Sequence, residues 1–203
     1  MNFFNRKNAR LVLFMASVLL CLNARAVIIA NYSESDGDVI GVTTGSAILD
    51  DLSLEGTESY TPGIDPGLGY FLTGGSANMD VYTGLTTAPT FGPGGGLEAS
   101  YGTGPLVGVI DLFYGLALYL PVGYVSGAEL ESDSIAIFAG ESFSSLGMTP
   151  GQYIWNWGEG DNADSLVLNI GVVPEPSTYA LIISALVGLF AFHRRVKISN
   201  LGK

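Results

Sequence analysis

Two short segments crowd oxygen-bearing side chains into glycine-containing turns: Glu34-Ser35-Asp36-Gly37-Asp38 and Glu159-Gly160-Asp161-Asn162-Ala163-Asp164. Carboxylate and amide oxygens held in a tight loop are the ligands a hard cation such as Ca²⁺ takes. Asp36, Asp38, Asp161 and Asp164 are therefore the candidate Ca²⁺ ligands. Neither segment spells an EF-hand loop with its spaced ligands and closing bidentate glutamate. Asp, Asn and Gly at such places are equally the ordinary chemistry of turns. A third segment, Tyr153-Ile154-Trp155-Asn156-Trp157, sets Tyr153, Trp155 and Trp157 on one face of a strand at period 2. Such a stripe is either sheet packing, where Tyr and Trp bury large areas, or a platform for sugar rings.

Composition removes most catalytic constellations. All eight Lys and Arg stand at the chain ends: Arg6, Lys7, Arg10 and Arg25, then Arg194, Arg195, Lys197 and Lys203. The only histidine is His193 and the only cysteine is Cys21. Residues 27–192 therefore offer no Ser–His pair, no Schiff-base lysine, no arginine clamp, no thiolate and no His- or Cys-ligated zinc. A carboxylate pair could serve glycoside hydrolysis, but no spacing singles one out, and the chain reads as a non-enzyme. All nineteen Asp and Glu fall between Glu34 and Glu175. The formal net charge of −11 understates the acidity of the middle of the chain. A polyanion of this kind does not bind nucleic acid by neutralising phosphates. Its ionic partners are divalent cations or basic surfaces.

The elements that must position these groups are short strands. Residues 27–173 suffice for one domain with its own core. Turn signals recur at close spacing: Asp36-Gly37, Pro62-Gly63, Asp65-Pro66-Gly67, Gly74-Gly75, Pro93-Gly94-Gly95-Gly96, Gly102-Thr103-Gly104 and Pro150-Gly151. Many short strands between Gly/Pro turns predict an all-β domain, a single β-sandwich of jelly-roll-like kind. Strands are expected over residues 27–31, 39–42, 47–52, 69–72, 78–82, 97–101, 110–119, 134–139, 152–157 and 165–170. Residues 54–69 and the glycine run at 92–96 read as loops. The almost wholly apolar run 106–120 fits a buried strand or a buried helix by periodicity alone; Gly108 and Gly115 favour a strand pair or a bent strand. Thr149-Pro150-Gly151 opens a hairpin. Its loop is 158–164, and its return strand sets Leu166, Leu168 and Ile170 on one face. No repeat of fixed period is present, which argues against a solenoid or propeller.

Both ends read as addresses. Arg6, Lys7 and Arg10 precede an apolar stretch over 11–22, and Ala24-Arg25-Ala26 puts small residues where signal peptidase reads. The expectation is a signal-peptide helix over 1–26, cleaved after Ala26 on export by the general secretion machinery. Cys21 follows Leu20 rather than a small residue, so a lipoprotein signal is not expected. At the other end stand Pro174-Glu175-Pro176, an apolar stretch and His193-Arg194-Arg195-Val196-Lys197. The prolines deny backbone donors and keep the chain extended ahead of the apolar stretch. Residues 177–192 make roughly 24 Å of helix, short of a ~30 Å hydrocarbon core. Tyr179 and snorkelling Arg194 and Arg195 make up the difference. A transmembrane helix is expected over about 177–193, with Arg194, Arg195, Lys197 and residues 198–203 on the cytoplasmic side.

This order of parts resembles the PEP-CTERM sorting tail of Gram-negative bacteria. The resemblance implies recognition by an exosortase, a membrane-embedded cysteine protease-transpeptidase, at Pro174, Glu175 and Pro176. Arg194, Arg195 and Lys197 then flank the anchor. The segment with Trp155-Asn156-Trp157-Gly158 resembles the Trp-x-Trp-Gly stretch ahead of the tail in many members. That likeness extends upstream through Gly123-Tyr124-Val125-Ser126-Gly127. The resemblance implies a body in the periplasm, transient anchoring in the inner membrane, and a final place at the cell surface or in the extracellular matrix. A structural or interaction role beside exopolysaccharide follows from it, the alternative being a carbohydrate- or Ca²⁺-dependent binding module.

Overall fold

The computed structural model describes residues 26–86, 89–112 and 115–171. Ala24, the sorting motif Pro174, Glu175 and Pro176, the anchor flank Arg194, Arg195 and Lys197, and both expected helices lie outside the described residues. Within them run thirteen strands: β1 (Ile28–Ser35), β2 (Asp38–Gly45), β3 (Ser53–Tyr60), β4 (Gly63–Asp65), β5 (Tyr70–Thr73), β6 (Ala77–Thr83), β7 (Leu97–Glu98), β8 (Tyr101–Thr103), β9 (Val107–Leu112), β10 (Gly115–Pro121), β11 (Ser134–Phe138), β12 (Gly151–Trp157) and β13 (Asp164–Ile170). They form a six-stranded sheet in the order β12-β13-β1-β2-β11-β8 and a seven-stranded sheet in the order β3-β6-β10-β9-β5-β4-β7. The body is all-β, as its turn spacing predicts.

Local chemistry explains the first hairpin. Asp36 and Gly37 take φ of 54° and 89°, the backbone that a two-residue turn needs to match the twist of its strands. Ser35 then faces Asp38 across the turn. One strand further, β1 pairs with β13 in parallel, Ile28 beside Leu166 through Tyr32 beside Ile170. The other described pairings are antiparallel. The parallel pair brings the beginning and the end of the body side by side.

The two sheets share one core. The six-stranded sheet gives it Ile28, Ala30, Tyr32, Trp155, Leu166 and Leu168; the seven-stranded sheet gives Phe71, Val107, Val109, Leu118 and Leu120. Full burial of such a side chain contributes roughly 1.5–3 kcal/mol. The alternate residues of the seven-stranded sheet, Leu72, Met79, Val81, Ile110, Ala117 and Tyr119, form a second buried cluster. At period 2 they belong to the opposite face. A sheet that buries both faces has strands that read as unbroken apolar runs, which is why 106–120 showed no periodicity. That run is the antiparallel hairpin β9–β10, with Gly115 opposite Leu112.

Three expectations are corrected. Residues 47–52 are not a strand; the Ala47, Ile48 and Leu49 amides go to side chains instead of a ladder, and the Leu52 amide turns back to Leu49 O. The loop expected over 54–69 contains most of β3, all of β4 and a 3₁₀ turn at Pro66–Leu68. β3 lies at a sheet edge and buries none of its side chains, so it has no apolar face to read. Its Glu55 and Glu58, and an irregularity between Leu54 and Gly56, discourage another strand from pairing there. The expected strand 97–101 is two strands in different sheets, β7 on β4 and β8 on β11. The Ala99 amide donates to Pro62 O (2.9 Å) and the Ser100 amide to Ile137 O (2.8 Å), so the chain changes sheets between them.

Candidate functional site: the cleft where the chain enters β1

The loop after β2 is held by side chains from distant parts of the chain. The Ala47 amide donates to the Tyr124 hydroxyl at 2.8 Å, and that hydroxyl donates to Ala128 O. The Ile48 amide donates to Asp164 Oδ2 at 2.6 Å, and the Leu49 amide to Ser126 Oγ at 3.0 Å. Trp157 Nε1 donates to Ile48 O at 2.7 Å. The apolar character of Ala47, Ile48 and Leu49 suggested a strand. Buried amides need partners, and here side chains supply them. Tyr124 and Ser126 come from the segment after β10, and Trp157 and Asp164 from β12 and β13. Both regions hold the same loop.

Asp164 opens β13 and is 6% exposed. Besides Ile48, its carboxylate accepts the Ser165 amide, through Oδ1 at 2.7 Å. Burial pushes its carboxyl above the ordinary carboxylate range, and the two amide bonds, which favour the charged form, offset part of that. Burial also raises the Tyr124 phenol; the Ala47 amide opposes this, while Glu129 and Asp164 add to it. Beside Asp164 lies a cleft of about 260 Å³ lined by Ala26, Val27, Trp157, Gly158 and Ser165, among others. Asp51 closes the neighbouring loop. Its Oδ2 accepts the Glu159 amide and its Oδ1 the Asn162 side-chain amide, each at 3.1 Å.

The aromatic stripe faces inward. Trp155 is 0% and Trp157 1% exposed, and Tyr153 is half-buried with its ring 6.0 Å from Phe91. Trp155 packs at 5.6 Å from Phe71, which belongs to the other sheet. This corrects the carbohydrate-stacking reading of Tyr153, Trp155 and Trp157, because a sugar cannot reach the two indoles. The outward residues of β12 are Gln152, Ile154 and Asn156.

Of the candidate Ca²⁺ ligands, Asp36 and Asp38 line one cleft with Glu34 and Glu141, at the end of β1 away from Asp164. Asp36 makes the hairpin turn, Asp38 Oδ1 accepts the Gly140 amide at 2.8 Å, and Asp161 sits exposed on the 3₁₀ turn Gly160–Asn162. Asp164 accepts two backbone amides, one on each oxygen. Among the described residues no group of three or more His, Cys, Asp or Glu could hold one metal ion. The sequence offers Asp164 for its oxygens, and the structure sets two backbone amides on them; Asp51 and Tyr124, which also hold loops here, were not singled out. Only their acceptor chemistry was visible, not the amides they meet.

The fold and this cleft define an all-β body of two sheets, with a buried carboxylate beside the start of its first strand. No family model, no curated protein and no solved structure matches the chain.

Proposed function

We propose that the chain is an exported surface or extracellular-matrix protein, sorted by an exosortase through its C-terminal tail. The observation that carries this reading is the order of parts at the end of the sequence: Pro174-Glu175-Pro176, a short apolar stretch, then Arg194, Arg195 and Lys197. In this account, signal peptidase removes residues 1–26 and the tail holds the body transiently in the inner membrane. The exosortase then acts near Pro174, Glu175 and Pro176. The body is a β-sandwich, jelly-roll-like in having two largely antiparallel sheets around one core. Its role is structural or interactive, beside exopolysaccharide in the envelope or matrix. The cation-free, acidic composition of the body supports a solvated matrix component, since like charge opposes self-association.

Replacing Pro174, Glu175 and Pro176 together by alanine tests the reading in a host that carries the exosortase. The variant is expected to accumulate uncleaved in the inner-membrane fraction. Normal processing of that variant refutes the proposal.

A further inference from the structure

The Asp164 carboxylate is the end of an unusual path. In the six-stranded sheet β1 lies between β13 and β2. Asp164 belongs to β13, yet its Oδ2 accepts the amide of Ile48, on the loop that follows β2. The carboxylate therefore reaches past the start of β1. Ile28 is beside Leu166 in the parallel pair; carried back two residues, that register sets Ala26 beside Asp164. Val27 is fixed in turn, its carbonyl accepting the Ser46 amide at 3.3 Å. Ala26 and Val27 line the same cleft as Asp164 and Trp157.

We propose that this cleft receives the chain's own new N-terminus: cleavage after Ala26 leaves the Val27 α-ammonium beside Asp164, and the two form an ion pair. The pair depends on cleavage after Ala26, which belongs to the export reading above. Hydrolysis of the Ala26–Val27 peptide bond consumes one water; the amine leaves on Val27 and the carboxylate on Ala26, and the amine takes up a proton from solvent. No other cation competes, because residues 27–192 contain no Lys, Arg or His. Each Asp164 oxygen accepts one amide hydrogen and has capacity for another. The other titratable groups of this region are acids or a phenol: Tyr124 feels both Asp164 and Glu129, and Asp51 holds the adjoining loop through Glu159 and Asn162. Export thereby completes the fold: departure of the signal segment sets a cation beside a buried carboxylate.

The pair carries a definite pH signature. An amine whose pKa is raised in the folded state contributes stability that is fully present below its unfolded value of about 7.7–8.0. That contribution is lost as pH rises through the folded pKa.

The test uses protein recovered from the producing cell after export. N-terminal sequencing comes first: a start elsewhere than Val27 overturns the cleavage reading and the pair with it. With Val27 as the first residue, the α-amine is titrated by NMR, and melting is compared before and after acetylation of that amine. The α-amine is expected to titrate clearly above about 8, and acetylation to lower Tm by roughly 2–6 °C. In an Asp164→Asn variant acetylation should leave Tm unchanged. An α-amine with its ordinary pKa, or a Tm that acetylation does not move, overturns the pair while leaving export intact. The α-amine titration uses the unaltered protein and decides the matter even if the variant does not fold.

Discussion

Trp155 shows how a residue can be read correctly in type and incompletely in role. Its spacing with Tyr153 and Trp157 placed the three on one face, and they share one. Which face the core takes was not legible, because Trp and Tyr combine apolar area with a polar tip and suit either environment. The structure decides: Trp155 touches Phe71 and Phe91 at 5.6 and 6.5 Å. Trp155→Ala is expected to cost about 3–5 kcal/mol, measured by denaturant unfolding, whereas Ile154→Ala on the outward face should cost under about 1 kcal/mol. Similar costs at the two positions would contradict this placement. Asp164 teaches a related lesson. A sequence displays carboxylates, but a carboxylate is as ready to accept a backbone amide as to bind a cation, and only the fold says which is near.

Elements differ in how plainly the sequence announces them. The Asp36-Gly37 turn and the hairpin of β12 and β13 were legible because tight turns need particular residues and half-buried strands alternate. β3 was not, because its edge position leaves it no buried stripe. The 47–52 loop misled in the opposite sense: it is apolar enough for a strand, yet its Ala47, Ile48 and Leu49 amides are satisfied by Tyr124, Asp164 and Ser126. The glycine run at 92–96 is a loop that packs closely. A Cβ on Gly94 would stand 1.9 Å from Leu146 O, and one on Gly92 1.9 Å from Gly147 O. The obstacle is backbone, which cannot rotate away. Gly94→Ala is therefore expected to destabilise by about 1–3 kcal/mol, while Gly95→Ala, with open space around it, should be close to neutral. Equal melting temperatures for the two variants would show that this packing does not matter.

At the scale of the whole molecule, charge distribution was the most legible property and long-range pairing the least. Every Lys and Arg could be counted at the ends, whereas no local signal tells β1 to lie parallel to β13. The same charge distribution makes a thermodynamic prediction. A body of carboxylates with no internal cation suffers mainly self-repulsion, which salt screens. Raising NaCl from about 0.05 to about 0.5 M should raise its Tm by a few degrees, followed by calorimetry; a Tm that falls would mean that attractive ion pairs dominate. The claim that joins all scales is that both cationic ends are removed, leaving an acidic β body. Intact-mass analysis of the protein released by the producing cell tests it most directly. The account predicts a chain that begins at Val27 and ends near Pro174–Pro176, lacking Arg194, Arg195 and Lys197. A released chain that still carries residues 177–203 contradicts it.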